Sequence, residues 1–399
     1  MHKVTQRIKE FNKYRLPEMV QLKYMFMAEN MFRFYRGTCH LFYEDLHHYG
    51  TVVPSPLTWI CGDLHLENFG SYKGNNRLVY FDLNDFDEAC LAPAAFELTR
   101  IVTSIFVAFA SLKITEKEAA IMAKLFLSVY SDTLANGKAY YIEPQTANGI
   151  VHSFLSDVCE RREKQLLQRF TALKKEKRLL KIDNVHFYKI TQKPLKKELL
   201  GFVQNWLNSN LKDYKVMDTA FRVSGTGSVG ARRYVFLLEN KKQTEKYILL
   251  EMKEAETSSL KPFLKIPQPK WTTEAARVVA IEKRMQNVSA ALLSTVVFDK
   301  RPFIIQEMQP AKDSIDFTLI KKRPKDIHQV ISDMAMLTAA AQLRSSGRQG
   351  SDIADKLIAF GNNNKWQEAI LKYSIQYKKQ VEKDFKDYCI DYKKGELQK

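Results

Sequence analysis

A glycine-rich segment between two strand-like stretches constrains the fold of this chain more than any other feature. Residues 224–230 read SGTGSVG, and alternating apolar residues precede and follow them at 220–223 and 233–238. Glycines let a backbone approach a polyphosphate closely and leave amide N–H groups free to donate to its oxygens. A dinucleotide-binding fingerprint requires such glycines to open a helix. The pattern therefore predicts a phosphate-binding loop between two strands, at Gly225, Gly227, Ser228 and Gly230.

A third strand-like stretch, residues 247–253, ends in Lys253 within an apolar run. This is the position of a lysine that contacts nucleotide phosphates in kinases. The alternatives are an ordinary hairpin turn for the glycines and an edge-strand lysine that extends to solvent. A predicted helix at 272–288, capped by Thr272 or Thr273, offers Glu274 or Glu282 as the partner of the lysine.

A second group of polar residues lies much earlier in the chain, in the strings GDLHLENFG at 62–70 and FDLNDFDE at 81–88. Asn68 follows Asp63 by five residues, which is the offset in the kinase catalytic loop H-R-D-x-x-x-x-N. Phosphoryl transfer needs a carboxylate that activates the acceptor and oxygen ligands for Mg²⁺. Asp82 follows a predicted strand and suits a metal ligand, with Asp85 as a second candidate. The alternative is a solvated acidic loop with Asx-turns.

The chain is strongly basic, with 62 Lys and Arg against 45 Asp and Glu and a formal charge of +17 over 399 residues. Such a balance favours anionic partners. Residues 161–182 concentrate nine basic and two acidic side chains, either as a solvated face or as an anion-binding surface. We find no recognisable nucleic-acid-binding motif, and aromatics do not alternate with the basic residues as base stacking would require.

The five cysteines are scattered and form no CxxC pair, which is typical of reduced thiols in a cytoplasmic protein. The first ten residues lack the apolar core of a secretory signal. The longest apolar stretch, residues 101–112, is interrupted by hydroxyl side chains and is shorter than the roughly 20 residues that span a bilayer. We therefore expect a cytoplasmic protein without a membrane span.

Periodicity predicts an α+β fold in four segments: an N-terminal helical segment at 1–56, candidate loops followed by helices at 57–212, a β-rich unit at 213–312, and C-terminal helices at 313–399. A resemblance to a known family, carried by the motifs above, implies that the β-rich unit is a nucleotide-binding lobe and that the C-terminal helices complete the helical lobe. Within the second segment, residues 153–181 are predicted to be a basic helical stretch.

At these residues the chain resembles two levels of family. GDLHLEN at 62–68 resembles the GDxHxxN loop of aminoglycoside phosphotransferases and choline kinases, which are relatives of the protein kinases. In combination with FYRG at 34–37, the acidic string, the glycine-rich loop, KEA at 253–255 and RVV at 277–279, it resembles the bacterial domain of unknown function 2252 over roughly residues 34–347. The resemblance implies a two-lobe protein kinase-like fold that binds ATP and Mg²⁺.

By that resemblance Asp63 is the catalytic base, Asn68 and Asp82 or Asp85 are metal ligands, the loop glycines bind phosphate with Lys253, and the backbone near Met308 contacts adenine. The order is unusual, because the glycine-rich loop and the lysine follow the catalytic loop. We interpret this as a circular permutation, supported by residues 337–346, which resemble the helix that precedes the catalytic loop in phosphotransferases. Gln342 replaces a histidine of that helix, and Glu97 replaces an aspartate that we expect to brace the loop.

The resemblance predicts an ATP- and Mg²⁺-dependent phosphotransferase that acts on an unidentified hydroxyl acceptor. Alternatives are nucleotidyl transfer by the same fold, a non-catalytic module that binds an anionic partner, and nonspecific nucleic-acid binding. Arg36, on an aromatic-rich segment upstream of the catalytic loop, either clamps a substrate phosphate or carboxylate or pairs structurally with the acidic loop.

Overall fold

About half of the residues lie in helices, and the strands form small antiparallel sheets. The computed structural model describes residues 3–50, 53–160, 163–174, 177–243, 246–308 and 314–397. This is the mixed α+β architecture that the hydrophobic periodicity predicts.

The helices in these ranges are α1 (Val4–Asn12), α2 (Pro17–Glu29), α3 (Met31–Gly37), α4 (Cys39–Tyr49), α5 (Ala94–Ser111), α6 (Glu116–Asn136), α7 (Gly149–Glu160), α8 (Glu163–Phe170), α9 (Lys193–Asn210), α10 (Glu274–Met285), α11 (Phe317–Ile320), α12 (Pro324–Ser345), α13 (Ala354–Gly361) and α14 (Trp366–Lys393). The strands are β1 (Leu57–Ile60), β2 (Phe69–Lys73), β3 (Val79–Leu83), β4 (Cys90–Pro93), β5 (Thr171–Lys174), β6 (Lys177–Leu180), β7 (Phe187–Tyr188), β8 (Tyr214–Arg222), β9 (Arg233–Asn240), β10 (Tyr247–Glu254), β11 (Ser294–Phe298) and β12 (Arg301–Glu307).

Two small antiparallel pairs bring the acidic strings together. Strand β1 pairs with β4, and β2 pairs with β3. The loop at 61–68 joins β1 to β2, and the loop at 84–89 joins β3 to β4. Because the first and last of these four strands are partners, as are the two inner ones, both loops lie at the same end of the strands.

A six-stranded sheet runs in the order β11-β12-β10-β9-β8-β7, and each neighbouring pair is antiparallel. The glycine-rich segment joins β8 to β9, and Lys253 lies on β10. Arg233 of β9 and Ile304 of β12 flank Lys253, so the lysine belongs to an interior strand and not to an edge. Helix α10 joins β10 to β11, with Thr273 as its N-cap.

Helix α5 forms the centre of the helical part and packs against α3, α6 and α14. Among the described residues it is the one helix long and apolar enough to cross a membrane by length and composition, but 83% of that window is buried inside the protein. The periodicity of residues 94–112 predicts this helix, which the structure gives as Ala94–Ser111. The same burial brings two ionisable side chains of α5, Glu97 and Arg100, into the interior.

The prediction of one basic helix over residues 153–181 is wrong in its second half. Within the described residues, helix ends at Phe170 and a hairpin of β5 and β6 follows. Phe170 and Leu180 are buried against the six-stranded sheet, and the amide of Leu180 donates to Asp218 on β8 at 3.1 Å. Tertiary packing therefore decides the secondary structure of this segment, because its own sequence pattern fits both helix and strand.

The four cysteines whose side chains are described are free thiols, as the scattered spacing predicts. Cys159 lies outside the described side chains, and so does part of the basic stretch at 161–182.

Candidate active site

The loop at 61–68 is held in one conformation by groups from three helices. Gly62 has φ +83°, and a Cβ there would overlap the carbonyl oxygen of Glu88 in the neighbouring loop, so only glycine fits. The carboxylate of Glu97 accepts hydrogen bonds from the amides of Cys61 (2.6 Å) and Gly62 (3.2 Å). The hydroxyl of Tyr43 donates to the carbonyl of Gly62. Glu97 thus braces the loop as the sequence predicts.

Glu97 is itself supported by two buried side chains. The amide nitrogen of Gln342 donates to Glu97 Oε2 at 3.1 Å, and the hydroxyl of Tyr130 donates to Gln342 Oε1. Gln342 stands where the resembled helix has a histidine. In this structure it connects Tyr130 to Glu97 through buried hydrogen bonds. Burial raises the pKa of Glu97 to about 7, against the hydrogen bonds that favour its ionised form.

Asp63 pairs with a fully buried arginine that the sequence did not reveal. Arg100 donates from Nη2 (2.7 Å) and Nε (3.1 Å) to Asp63 Oδ1. The guanidinium carbon lies 3.6 Å from the centre of the Tyr35 ring. Burial raises the pKa of Asp63, while Arg100 opposes this shift. Arg100 thereby holds one oxygen of Asp63. The sequence signal for this pairing was weak: an arginine within an apolar helix, three residues after Glu97.

Asn68 is bound to the backbone that carries Asp63. Its side-chain nitrogen donates to the backbone carbonyl of Asp63 at 2.6 Å. The backbone carbonyl of Asn68 accepts from the backbone amide of Asn84 at 3.1 Å. The contacts orient the carboxamide, so its oxygen, a suitable ligand for a hard cation, points away from this hydrogen bond.

The two candidate metal aspartates occupy different environments. Asp82 is 2% exposed, and its carboxylate accepts from the amide of Leu83 (2.9 Å) and from Arg344 (3.3 Å). Asp85 is much more open, with 42% of its side chain exposed, and lies 3.5 Å from the ammonium of Lys253. Asp85 also lines the cavity above Asp63, whereas Asp82 does not.

Lys253 reaches the acidic loop from the sheet. Its ammonium pairs with Asp87 and lies near Asp85. Of the two candidate partners on α10, Glu274 binds Arg277 at 2.5 Å instead. Glu282 is buried, and its pKa is raised to about 8 by burial and by Asp85, with Lys253 acting in the opposite direction. Within the described residues, neither glutamate of α10 forms an ion pair with Lys253, because its carboxylate partners are Asp87 and Asp85. The predicted pairing of Lys253 with Glu274 or Glu282 is therefore wrong.

Arg277 on α10 fixes the backbone of the acidic loop. Its guanidinium donates to the carbonyls of Ala89, of Asp87 at 2.9 Å and of Glu256 at 3.0 Å. Because these acceptors belong to two segments, the arginine connects the acidic loop to the segment that follows β10.

The glycine-rich loop folds down onto Asp63. Gly225 and Gly230 have φ +67° and +104°, respectively, and Ser228 Oγ donates to the carbonyl of Ser224 at 2.8 Å. A Cβ at Gly227 would lie 3.3 Å from the carbonyl oxygen of Arg36 and 3.8 Å from Asp63 Oδ2. The cavity left between the loop and the acidic residues is about 50 Å³, which suits water but not a nucleotide.

Arg36 and Met308 have other partners in this structure. Arg36 lines the cavity, and its guanidinium pairs with Glu67 of the loop at 61–68. A role of Arg36 in binding a substrate stays a prediction. The amide of Met308 donates to the carbonyl of Leu249 on β10 at 2.8 Å, so that N–H is engaged within the sheet. Residues 309–313, which follow it, lie outside the described ranges.

Several residues predicted from the sequence thus meet at one cavity, which is lined by Arg36, Asp63, Asp85, Gly227 and Ser228. Asn68 and Lys253 contact members of this set, while Asp82 and Met308 lie outside the lining. Among the described residues, no group of three or more His, Cys, Asp or Glu side chains is arranged to hold a metal by itself.

Comparison with known proteins gives one family. The model of a family described as "Uncharacterized protein conserved in bacteria (DUF2252)" matches residues 15–391. No curated protein and no solved structure matches the chain. Since the match spans nearly the whole chain, including both loops, the sheet and α12, the protein belongs to the DUF2252 family of bacterial proteins.

Proposed function

We propose that this protein is an ATP- and Mg²⁺-dependent phosphotransferase that acts on a hydroxyl-bearing acceptor. The observation that carries the proposal is the position of the glycine-rich loop: it lies directly over Asp63, in a cavity that also contains Asp85. A phosphate-binding loop, a candidate base and a candidate metal ligand, from segments more than 130 residues apart in sequence, thus share one cavity.

The connectivity of the sheet supports a kinase-like small lobe. In chain order, β8 and β9 flank the glycine-rich loop, β10 carries the lysine, α10 follows, and β12 then returns beside β10. Kinases likewise have a glycine-rich loop, a lysine on the third strand and a glutamate on the next helix. Helix α10 carries Glu282, but Lys253 pairs with Asp87 in this structure.

The other end of the chain supports the circular permutation. After α12, the carbonyl of Arg348 accepts from the indole of Trp59 at 2.9 Å, and Asp352 exchanges two hydrogen bonds with Leu57 at 2.7 and 2.8 Å. The segment after α12 therefore lies beside β1, which leads into the loop of Asp63. In a permuted chain, the helix that usually precedes this loop would lie there.

The donor set fits a magnesium ion that is completed by a nucleotide. Mg²⁺ is usually held by one or two carboxylates, with phosphate and water oxygens as its other ligands. Asp85 and the carboxamide oxygen of Asn68 supply this chemistry, with Asp87 beside them. When bound, the ion would neutralise phosphate charge. Asp82 does not fit, because Arg344 and backbone amides already occupy its carboxylate.

In the proposed reaction, Asp63 accepts the proton of the acceptor hydroxyl as its oxygen attacks the γ-phosphorus. The new O–P bond forms as the bond to the β–γ bridging oxygen breaks, and ADP leaves with that electron pair. Arg100 holds Asp63 in position and stabilises its ionised form. The oxygen that Arg100 does not contact, Oδ2, is the one that faces Gly227.

Substitution of the two candidate metal aspartates tests this assignment. We expect Asp85→Asn to weaken Mg²⁺-dependent binding of a non-hydrolysable ATP analogue by roughly tenfold or more, because a carboxylate ligand is lost. Asp82→Asn is the matched control, and we expect its affinity to stay within about threefold when the protein is folded. Calorimetry with and without Mg²⁺, beside thermal melting, measures both.

Equal affinities of Asp85→Asn and the unmodified protein would contradict the metal assignment, and absence of nucleotide binding by the unmodified protein would contradict the function. With an acceptor in hand, mass spectrometry of the product distinguishes phosphoryl from nucleotidyl transfer.

A further inference from the structure

Two cations from the N-terminal helices hold the glycine-rich loop in its closed position. Arg15, between α1 and α2, donates to the carbonyls of Gly227 (2.7 Å) and Val229 (3.2 Å). Lys23 of α2 donates from Nζ to the carbonyl of Gly227 at 3.0 Å. The amide of Leu16 adds a bond to the carbonyl of Gly230 at 3.0 Å. Both cationic side chains line the cavity above Asp63.

Lys23 is completely buried, and its partners do not balance a charge. Within the described part of the chain, its only hydrogen-bond acceptor is the Gly227 carbonyl, and no carboxylate lies within 4.0 Å of its ammonium. Its other close neighbour is the ring of Phe11, with Nζ 5.6 Å from the ring centre. Burial and the nearby Arg15 lower the pKa of Lys23 well below its ordinary range, although Glu256, Glu88 and Asp63 act in the opposite direction. A buried ammonium without a paired anion is costly, so an anion bound here would stabilise the charged form of Lys23.

Arg15 shares the same surroundings. Its guanidinium lies over the Phe11 ring at 5.2 Å and pairs with Glu256 at 2.8 Å through Nη2. Its other terminal nitrogen, Nη1, is bound only to loop carbonyls among the described residues. Carbonyl oxygens therefore occupy the positions around both cations that oxygens of an anionic ligand would take.

A nucleotide cannot enter the 50 Å³ cavity unless the loop lifts. Once it lifts, Arg15 Nη1 and the ammonium of Lys23 lose these carbonyl acceptors beside Asp63. Transfer of a phosphoryl group requires cations at its oxygens. Lys253, the lysine that the six-stranded sheet places near this cavity, is already paired with Asp87.

We propose that Arg15 and Lys23 form a binding subsite for a phosphate dianion at the reaction centre, supplied by the N-terminal helices. The proposal rests on the proposed function, which places a nucleotide in this cavity. The dianion is either the terminal phosphate of the nucleotide or a phosphate group on the acceptor, since both present the same oxygens.

The test compares binding of three probes to the full chain: MgADP, the Mg²⁺ complex of the β,γ-imido analogue of ATP, and inorganic phosphate added to the MgADP complex. Lys23→Met keeps the length of the side chain and removes the charge, and Arg15→Gln is a second, less buried variant. Lys13→Gln is the matched control, because Lys13 is exposed on the same segment and forms an ion pair with Glu10. Calorimetry gives the affinities, and circular dichroism verifies folding.

We expect each of the two variants to weaken binding of a phosphate-bearing probe by about 10- to 100-fold, as for loss of a charge-assisted hydrogen bond, and to leave MgADP within about twofold. Loss with the ATP analogue assigns the subsite to the nucleotide, and loss confined to inorganic phosphate assigns it to the acceptor. Arg15→Lys, which keeps the charge, should recover part of the affinity.

Equal weakening of MgADP and the phosphate-bearing probes, or no weakening at all, would overturn the subsite and leave Arg15 and Lys23 as structural supports of the loop. In both cases MgADP still binds the unmodified protein, so the proposed function stands. Failure of the unmodified protein to bind any nucleotide would instead overturn the function, and the subsite with it.

Discussion

At the residue scale, Glu97 shows how one buried carboxylate orders the loop of Asp63. It accepts two backbone hydrogen bonds from that loop and one from Gln342 of α12. A buried carboxylate is stable only when such donors offset the loss of hydration. Burial still raises its pKa to about 7, so the side chain titrates near neutral pH.

The folded carboxyl of Glu97 binds its proton more tightly than the unfolded one, whose pKa is about 4.5. Its contribution to stability is therefore present at low pH and lost as the pH rises from about 4.5 to about 7, by at most about 1.4 kcal/mol per pH unit. We expect Glu97→Gln, which removes this titration, to show a smaller fall in unfolding free energy between pH 5 and 8, measured with urea.

The control for this prediction is Glu118→Gln in the first turn of α6, where Glu118 forms a capping box with the N-cap Thr115. Hydrogen bonds from Thr115 lower the pKa of Glu118, so its titration lies below this pH range and the slope should not change. Half-buried Glu88 and buried Glu282, whose pKa values are raised to about 7 and about 8, should leave a residual slope in both variants. Identical slopes for Glu97→Gln and the unmodified protein would contradict the assignment.

At the element scale, the loops at 61–68 and 84–89 are positioned by the close approach of their backbones. Gly62 in the first loop lies against Glu88 in the second, with φ +83°. The carboxylate of Glu88 in turn accepts from the amide of Ser259 at 2.5 Å. The contact thus connects the loop of Asp63 to the loop of Asp85, and through Ser259 to the segment after β10.

We expect Gly62→Ala to destabilise the protein by about 2 kcal/mol or more, because it adds left-handed strain to a steric overlap. The same change at Gly201 in α9, where an added Cβ meets no atom within 4 Å, should stabilise by about 0.5–1 kcal/mol through helix propensity. Urea unfolding measures both. A destabilising Gly201→Ala or a neutral Gly62→Ala would contradict this account.

At the scale of the whole molecule, the N-terminal helices bridge the helical part and the sheet. Helices α1 and α2 pack on α14, while Arg15, Leu16 and Lys23 bind the glycine-rich loop. Lifting the glycine-rich loop must break these hydrogen bonds. They therefore form only while the loop closes the cavity.

We therefore expect a saturating Mg²⁺ complex of the ATP analogue to increase hydrogen exchange at the amide of Leu16, which would lose its acceptor, the carbonyl of Gly230. Exchange-detected mass spectrometry over residues 14–20 measures this, with α6 as an internal reference that should not respond. Unchanged or slower exchange at Leu16 under saturation would show that nucleotide binds without lifting the loop.

The sequence by itself predicted the elements and several of the residues that share the cavity. Strongly periodic segments such as α5, α6 and α9 and the strands β9 and β10 were predictable, since a core-facing pattern needs only local periodicity. Asp63, Asp85, Gly227 and Ser228 could be chosen because their residue types and spacing suit phosphate and metal chemistry. The hairpin of β5 and β6 could not, since its pattern is ambiguous until the sheet buries Phe170 and Leu180.

Only the tertiary structure decided which charged groups meet. It separated Asp85 from Asp82, paired Lys253 with Asp87 and not with a glutamate of α10, and brought Arg100, Arg15 and Lys23 to the site. None of these choices follows from spacing along the chain, because the partners come from segments that are distant in sequence and adjacent only after folding. The physical reason is that local sequence sets the path of the backbone, whereas burial and pairing of charge depend on the whole packed interior.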